Sequence, residues 1–103
     1  MGSLWEKPLT QKVRGFEGIS LQLFYFAYIL KSLKDGGYYY GHCEDVEKRI
    51  KNHNAGKVRS TKGRRPFIIH YTEKYSTKTE AAKREYFFKT INGYNYLKSN
   101  AII

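Results

Sequence analysis

The chain has 103 residues, enough for one domain with a modest core and too few for two. Its formal net charge of +10, from 19 Lys and Arg against 9 Asp and Glu, favours polyanionic partners, nucleic acid ahead of an anionic membrane surface. The single cysteine, Cys43, excludes an internal disulfide, and the longest apolar run, Leu21 to Leu30 broken by Gln22, falls well short of the roughly 20 residues of a spanning helix.

No apolar stretch at the N-terminus has the form of a signal peptide, so a soluble, cytoplasmic protein without membrane contact is expected. Residues 1–22 show no sustained period and contain Pro8, Gly15 and Gly18, the pattern of an irregular extension. A domain over residues 23–99 and a short tail over 100–103 follow.

Residues 23–31 are aromatic or branched, as in a strand buried on both faces. Lys34-Asp35-Gly36-Gly37 then supplies hairpin chemistry, with Asp35-Gly36 as the two central residues. Tyr38, Tyr39 and Tyr40 read as a short second strand ended by Gly41. In that register Tyr28 and Tyr39 share a face; a longer loop of even displacement keeps them together, and a slip of one residue separates them.

A helix is expected from about Cys43 to Asp45 until Asn54, with Glu44, Asp45 and Glu47 at the positive end of its dipole and Gly56 beyond it. Val46 and Ile50 face the core, and Arg49 and His53, spaced i, i+4, lie on an adjacent stripe. Residues 55–66 (AGKVRSTKGRRP) carry Lys57, Arg59, Lys62, Arg64 and Arg65 with no acid and no apolar period: a basic loop. Residues 67–75 form a third strand. Thr77 and Glu80 have the spacing of a capping box opening a second helix to about Ile91, after which Asn92-Gly93 reads as a turn before a short C-terminal piece. The order β-β-α-β-α-(α) gives an α+β fold: a small sandwich with a three-stranded, mostly antiparallel sheet flanked by helices.

Four residue types on this frame bear on chemistry. Arg49 can donate two hydrogen bonds to phosphate oxygens, its alternative being a solvated helix face. His53, one turn on, has an ordinary pKa near neutrality and can shuttle a proton, its alternative being an unperturbed surface histidine. Glu85 lies on the apolar side of the second helix with Ala81, Ala82 and Phe88, a costly place for a carboxylate unless it is paired, with Arg84 or another arginine, or binds a metal. Tyr28 and Tyr39 are core aromatics on residue type alone; as catalysts either needs nearby positive charge, or it positions a water.

Phe26-Ala27-Tyr28, Tyr39-Tyr40-Gly41, Arg49 and His53 within EDVEKRIKNHN, and Glu85 within TEAAKREYF together resemble the signature of the GIY-YIG nuclease superfamily. The resemblance is closest to small stand-alone bacterial members similar to the nuclease domain of the excinuclease C subunit, through HNAGKVRSTKGRRPF, and the stretch from Ile91 to Asn95 is similar to phage homing endonucleases. It departs at Phe26, where the name-giving glycine stands, and at Ala27 and Tyr40, which replace isoleucines.

The resemblance implies that Tyr28 and Tyr39 line the site, one of them as general base or water positioner. Arg49 then stabilises the pentacovalent phosphate, His53 assists proton transfer and Glu85 holds one divalent metal, Mg²⁺ or Mn²⁺. Asn95 is implied as a supporting polar residue. The reaction implied is metal-dependent hydrolysis of DNA phosphodiesters, a nickase or endonuclease, by a monomer or homodimer. The five basic loop residues would hold the DNA backbone without reading sequence. His42 could approach the site but has the default of a surface histidine, and His70 and Cys43 are read as structural. The competing readings are a nucleic-acid-binding module that does not cut, and a protein whose basic loop docks on an acidic partner.

Overall fold

The computed structural model describes residues 23–103, so the expected extension over 1–22 lies outside the described residues. Strands β1 (Tyr25–Ser32), β2 (Tyr38–Cys43) and β3 (Phe67–Tyr75) form an antiparallel sheet of order β2-β1-β3, with helices α1 (Val46–Asn54), α2 (Lys78–Phe88) and α3 (Ile91–Ser99) around it. The α+β fold and its order β-β-α-β-α-α are as the sequence indicates.

Strand β1 is central and buried on both sides, which is why its composition shows no polar alternation. Phe26, Tyr28 and Leu30 pack with Val46 and Ile50 of α1 and with Phe67 on one face; Ala27 and Ile29 pack with Phe88 of α2 and Leu97 of α3 on the other. Each face thus has its own apolar cluster, and the sheet separates them.

The hairpin differs in detail from the two-residue turn expected. Ser32 N–H donates to the Gly37 carbonyl at 2.8 Å, leaving residues 33–36 as the loop, with Gly36 at φ +75° and the Asp35 carboxylate accepting from Gly37 N–H. The loop is two residues longer, so the parity holds: Leu30 opposes Tyr39 and Tyr28 opposes Gly41, placing both tyrosines on the α1 face. Strand β2 does not stop at Gly41 but runs on to Cys43. A side chain at Gly41 would overlap the Tyr28 ring, so the glycine makes room for Tyr28 inside a continuous strand.

Asp45 caps α1 by accepting from Lys48 N–H, and the Thr77/Glu80 capping box opens α2. The second helix ends sooner than its composition indicates. Its last residue is Phe88, and Asn92-Gly93 lies within α3, where the Thr90 hydroxyl accepts from Gly93 N–H at 3.0 Å. The local turn preference of Asn-Gly yields to this N-cap and to the burial of Leu97 against the sheet. Beyond α3, Ile102 and Ile103 pack on the same cluster, and His70, the extra residue of a bulge in β3, holds the Ile102 carbonyl at 2.7 Å.

Arg84 is paired with Glu73 of β3 at 2.7 Å, and that carboxylate also accepts from the Tyr71 and Tyr75 hydroxyls at 2.6 Å each. Burial alone would raise the pKa of Glu73; the three donors outweigh it and hold the carboxyl below its ordinary value. The Arg84 pairing leaves Glu85 to other partners.

Among the described residues no helix is long and apolar enough to cross a membrane.

Candidate active site

Helix α1 lays Arg49 and His53 against the face of β1 and β2 that carries Tyr28 and Tyr39. Arg49 Nε–H donates to the Tyr28 hydroxyl at 3.2 Å, and that hydroxyl lies 3.4 Å from His53 Nε2. The Tyr28 and Tyr39 rings are 6.4 Å apart, and Tyr39 meets the His53 ring edge-on at 4.8 Å. Four residues from three elements thus form one cluster.

Burial sets the protonation of this cluster. It pushes Tyr28 up to about 12, even though the Arg49 hydrogen bond and charge act in the opposite direction. Burial, reinforced by the Arg49 charge, brings His53 down to about 4. At neutral pH Tyr28 therefore keeps its proton and His53 is uncharged. The unperturbed surface histidine is excluded, because His53 is 0% exposed.

His53 has a further partner that the sequence does not reveal. Its Nδ1 lies 2.8 Å from the hydroxyl of Thr61, a fully buried residue of the basic loop. The loop itself is built onto the hairpin: Ser32 Oγ–H donates to the Arg64 carbonyl at 2.6 Å, Lys34 Nζ to the Gly63 carbonyl at 3.0 Å, and Arg64 pairs with Asp35 at 2.7 Å. At its end Asn54 bridges the backbone N–H and carbonyl of Phe67. Of the five basic residues, Arg64 is committed to Asp35; no ion pair among the described residues involves Lys57, Arg59, Lys62 or Arg65.

Glu85 sits on the other face of the sheet. Its Oε1 accepts from His42 Nδ1–H of β2 and its Oε2 from Lys89, both at 2.7 Å. Burial alone would raise its pKa, and these two donors outweigh it, so the carboxylate stays ionised. His42 follows Gly41 in the chain and alternates to the opposite face, so Glu85 and Tyr28 flank the same edge strand from its two sides. His42 is not a bare surface histidine; its partner 43 residues away could not be read from local pattern. Asn95 is exposed on α3, where its carbonyl accepts from the Ser99 hydroxyl, and no side-chain hydrogen bond among the described residues ties it to this cluster.

Residues 24–96 match the GIY-YIG catalytic domain. The chain belongs to the GIY-YIG family. Among its relatives are a UPF0213 protein of Staphylococcus saprophyticus, 47% identical over 75 residues (72% of this chain, 90% of the relative), and one of Bacillus licheniformis, 43% identical over 72 residues (69% and 73%). The solution NMR structure of a UPF0213 protein from Bacillus halodurans is similar at 38% identity, covering 75% of this chain and 84% of that one, with a TM-score of 0.45. GIY-YIG nucleases are in general dependent on divalent metal.

Two of the three departures of this GIY-YIG chain from the name-giving motif have a packing reason. Phe26 and Ala27 are both buried, Phe26 in the α1-side cluster and Ala27 in the other. The retained glycine, Gly41, is the one on which the Tyr28 ring rests.

Proposed function

We propose that this chain is a metal-dependent DNA endonuclease that nicks one strand by hydrolysing a phosphodiester bond. The observation that carries the reading is the series of hydrogen-bonding groups from the half-buried Arg49 through the buried Tyr28 to the buried His53, beside an edge strand whose other side presents an ionised Glu85.

Arg49 uses Nε on Tyr28, which leaves its terminal N–H groups to donate to phosphate oxygens as charge develops there. Tyr28 is protonated at neutral pH and so does not act as a preformed phenolate. It takes a proton from the attacking water while its own proton passes to the neutral His53 Nε2. Tyr39 walls the site against His53. Lys57, Arg59, Lys62 and Arg65 hold the DNA backbone.

No trio of His, Cys, Asp or Glu gathers among the described residues, so Glu85 offers a single carboxylate. That donor set fits Mg²⁺ or Mn²⁺, which retain several waters and use one or two carboxylates together with substrate phosphates. The ion would displace the exposed Lys89 ammonium from Oε2, and when bound it supplies Lewis-acid stabilisation of the phosphate. His42 holds the other oxygen.

Nicking of supercoiled plasmid with Mg²⁺ or Mn²⁺, beside EDTA and a Glu85→Gln protein, tests the reading. The substitution keeps an acceptor for His42 and removes the charge, and nicking should fall roughly a hundredfold or more while DNA affinity is retained. Binding without nicking across DNA structures and both metals would establish the non-cutting module instead.

A further inference from the structure

We propose that Thr61 is a positioning residue of this site: its hydroxyl accepts the Nδ1 proton of His53 and fixes the tautomer whose Nε2 lone pair faces Tyr28. Only the catalytic consequence of this assignment rests on the nuclease reading above.

Thr61 is 0% exposed within a basic loop whose residues are mostly exposed, and a buried hydroxyl requires partners. It has two, His53 Nδ1 at 2.8 Å and the Val58 carbonyl at 3.3 Å, and one proton to give. Donation to Nδ1 would leave the His53 proton on Nε2. Two donors, Arg49 Nε–H and His53 Nε2–H, would then converge on the Tyr28 oxygen. The Tyr28 proton itself would have no acceptor among the described residues, although the residue is 1% exposed.

Donation to Val58 satisfies every group. Arg49 donates to Tyr28, Tyr28 to His53 Nε2, His53 Nδ1 to Thr61, and Thr61 to the Val58 carbonyl. The count of donors and acceptors selects this direction. The 3.4 Å step from Tyr28 to His53 is the longest in the series, and Nε2 is the acceptor it has.

The backbone holds Thr61 in place for this task. Its N–H donates to the Val58 carbonyl at 3.1 Å, its carbonyl accepts from Arg64 N–H at 2.9 Å, and Arg64 is fastened to the hairpin through Ser32 and Asp35. The tautomer of a histidine is set by the bond its other nitrogen makes, so the loop reaches the proton relay through one hydroxyl.

Two-bond ¹H–¹⁵N correlation spectra of the full-length protein at neutral pH, without DNA or metal, read the tautomer directly, with the His53 signals assigned by their loss in a His53→Gln protein. The wild-type protein should show a protonated Nδ1 and an unprotonated Nε2, Thr61→Ser should keep that pattern, and Thr61→Val should shift the population towards protonated Nε2. A wild-type spectrum with the proton on Nε2, or a Thr61→Val spectrum unchanged from wild type, would overturn the assignment. Should Thr61→Val fail to fold, the wild-type and Thr61→Ser spectra decide it. In the nicking assay, Thr61→Val should lower kcat by about ten- to a hundredfold at unchanged KM, with Thr61→Ser restoring it. A shifted tautomer with undiminished kcat would overturn the catalytic consequence. Absence of nicking in the wild-type protein would sink the nuclease reading and leave the tautomer to the spectra.

Discussion

Tyr28 belongs at once to the core and to the candidate site, and Gly41 is what allows both. The ring occupies the space a Cβ at position 41 would need, so Gly41→Ala must push the ring off β2 or bend the strand. Overpacking of this kind costs about 1 to 3 kcal/mol, and displacement of the hydroxyl from Arg49 should lower nicking as well; denaturant melts and the plasmid assay on one variant check both. His53 gives a second prediction. Its folded pKa, about 4, lies below its ordinary 6.5, so the unfolded state binds the proton more readily and stability falls as pH drops below 6.5. The loss should reach about 2 kcal/mol by pH 5, before the lowered carboxylates Glu73 and Glu85 begin to contribute, and it should vanish in His53→Gln. Equilibrium urea unfolding at pH 7 and pH 5 measures it.

Helix α1 delivers two of the four clustered residues, and its entry rests on the Asp45 cap. Asp45→Ala should cost about 1 kcal/mol in denaturant unfolding, with nicking reduced because Arg49 lies only one turn inside the helix. Hydrogen exchange at Lys48 N–H, which loses its acceptor, locates the effect. The loop over residues 55–66 has a dual character that composition conceals. Its lysines and arginines face outward, while Thr61 turns in to His53 and Arg64 binds the loop to the hairpin. This division should appear in DNA binding. Lys57→Ala and Arg59→Ala should each reduce the slope of log affinity against log salt by about one unit, whereas Arg64→Ala, whose guanidinium is engaged by Asp35, should change it less. Equal slopes in all three proteins would remove the distinction.

At the scale of the whole molecule, the sequence carries a formal charge of +10, and the described residues present one candidate site beside an edge strand of the sheet. Under the proposed nuclease reading, one such site acts on one strand at a time. In a time course on supercoiled plasmid, nicked circles should therefore accumulate well before linear DNA. Linear product at early times, with rates rising as the square of protein concentration, would instead point to a paired form.

The sequence by itself determined the element order, the shared face of Tyr28 and Tyr39, the i, i+4 placement of Arg49 and His53, and the presence of Glu85 on the inner side of α2. These are consequences of period, and period survives errors of an even number of residues, as the longer hairpin loop demonstrates. The end of α2 before Asn92-Gly93 was not legible, because packing of Leu97 and the Thr90 cap outweighed a local turn preference. Nor were the partners of polar groups: Glu85 with His42 across 43 residues, Arg84 with Glu73 across 11, and Thr61 with His53 from within a basic segment without acids. Tertiary structure alone decided these pairings, because a buried donor must find an acceptor wherever the folded chain brings one, and no spacing in the sequence records where that is.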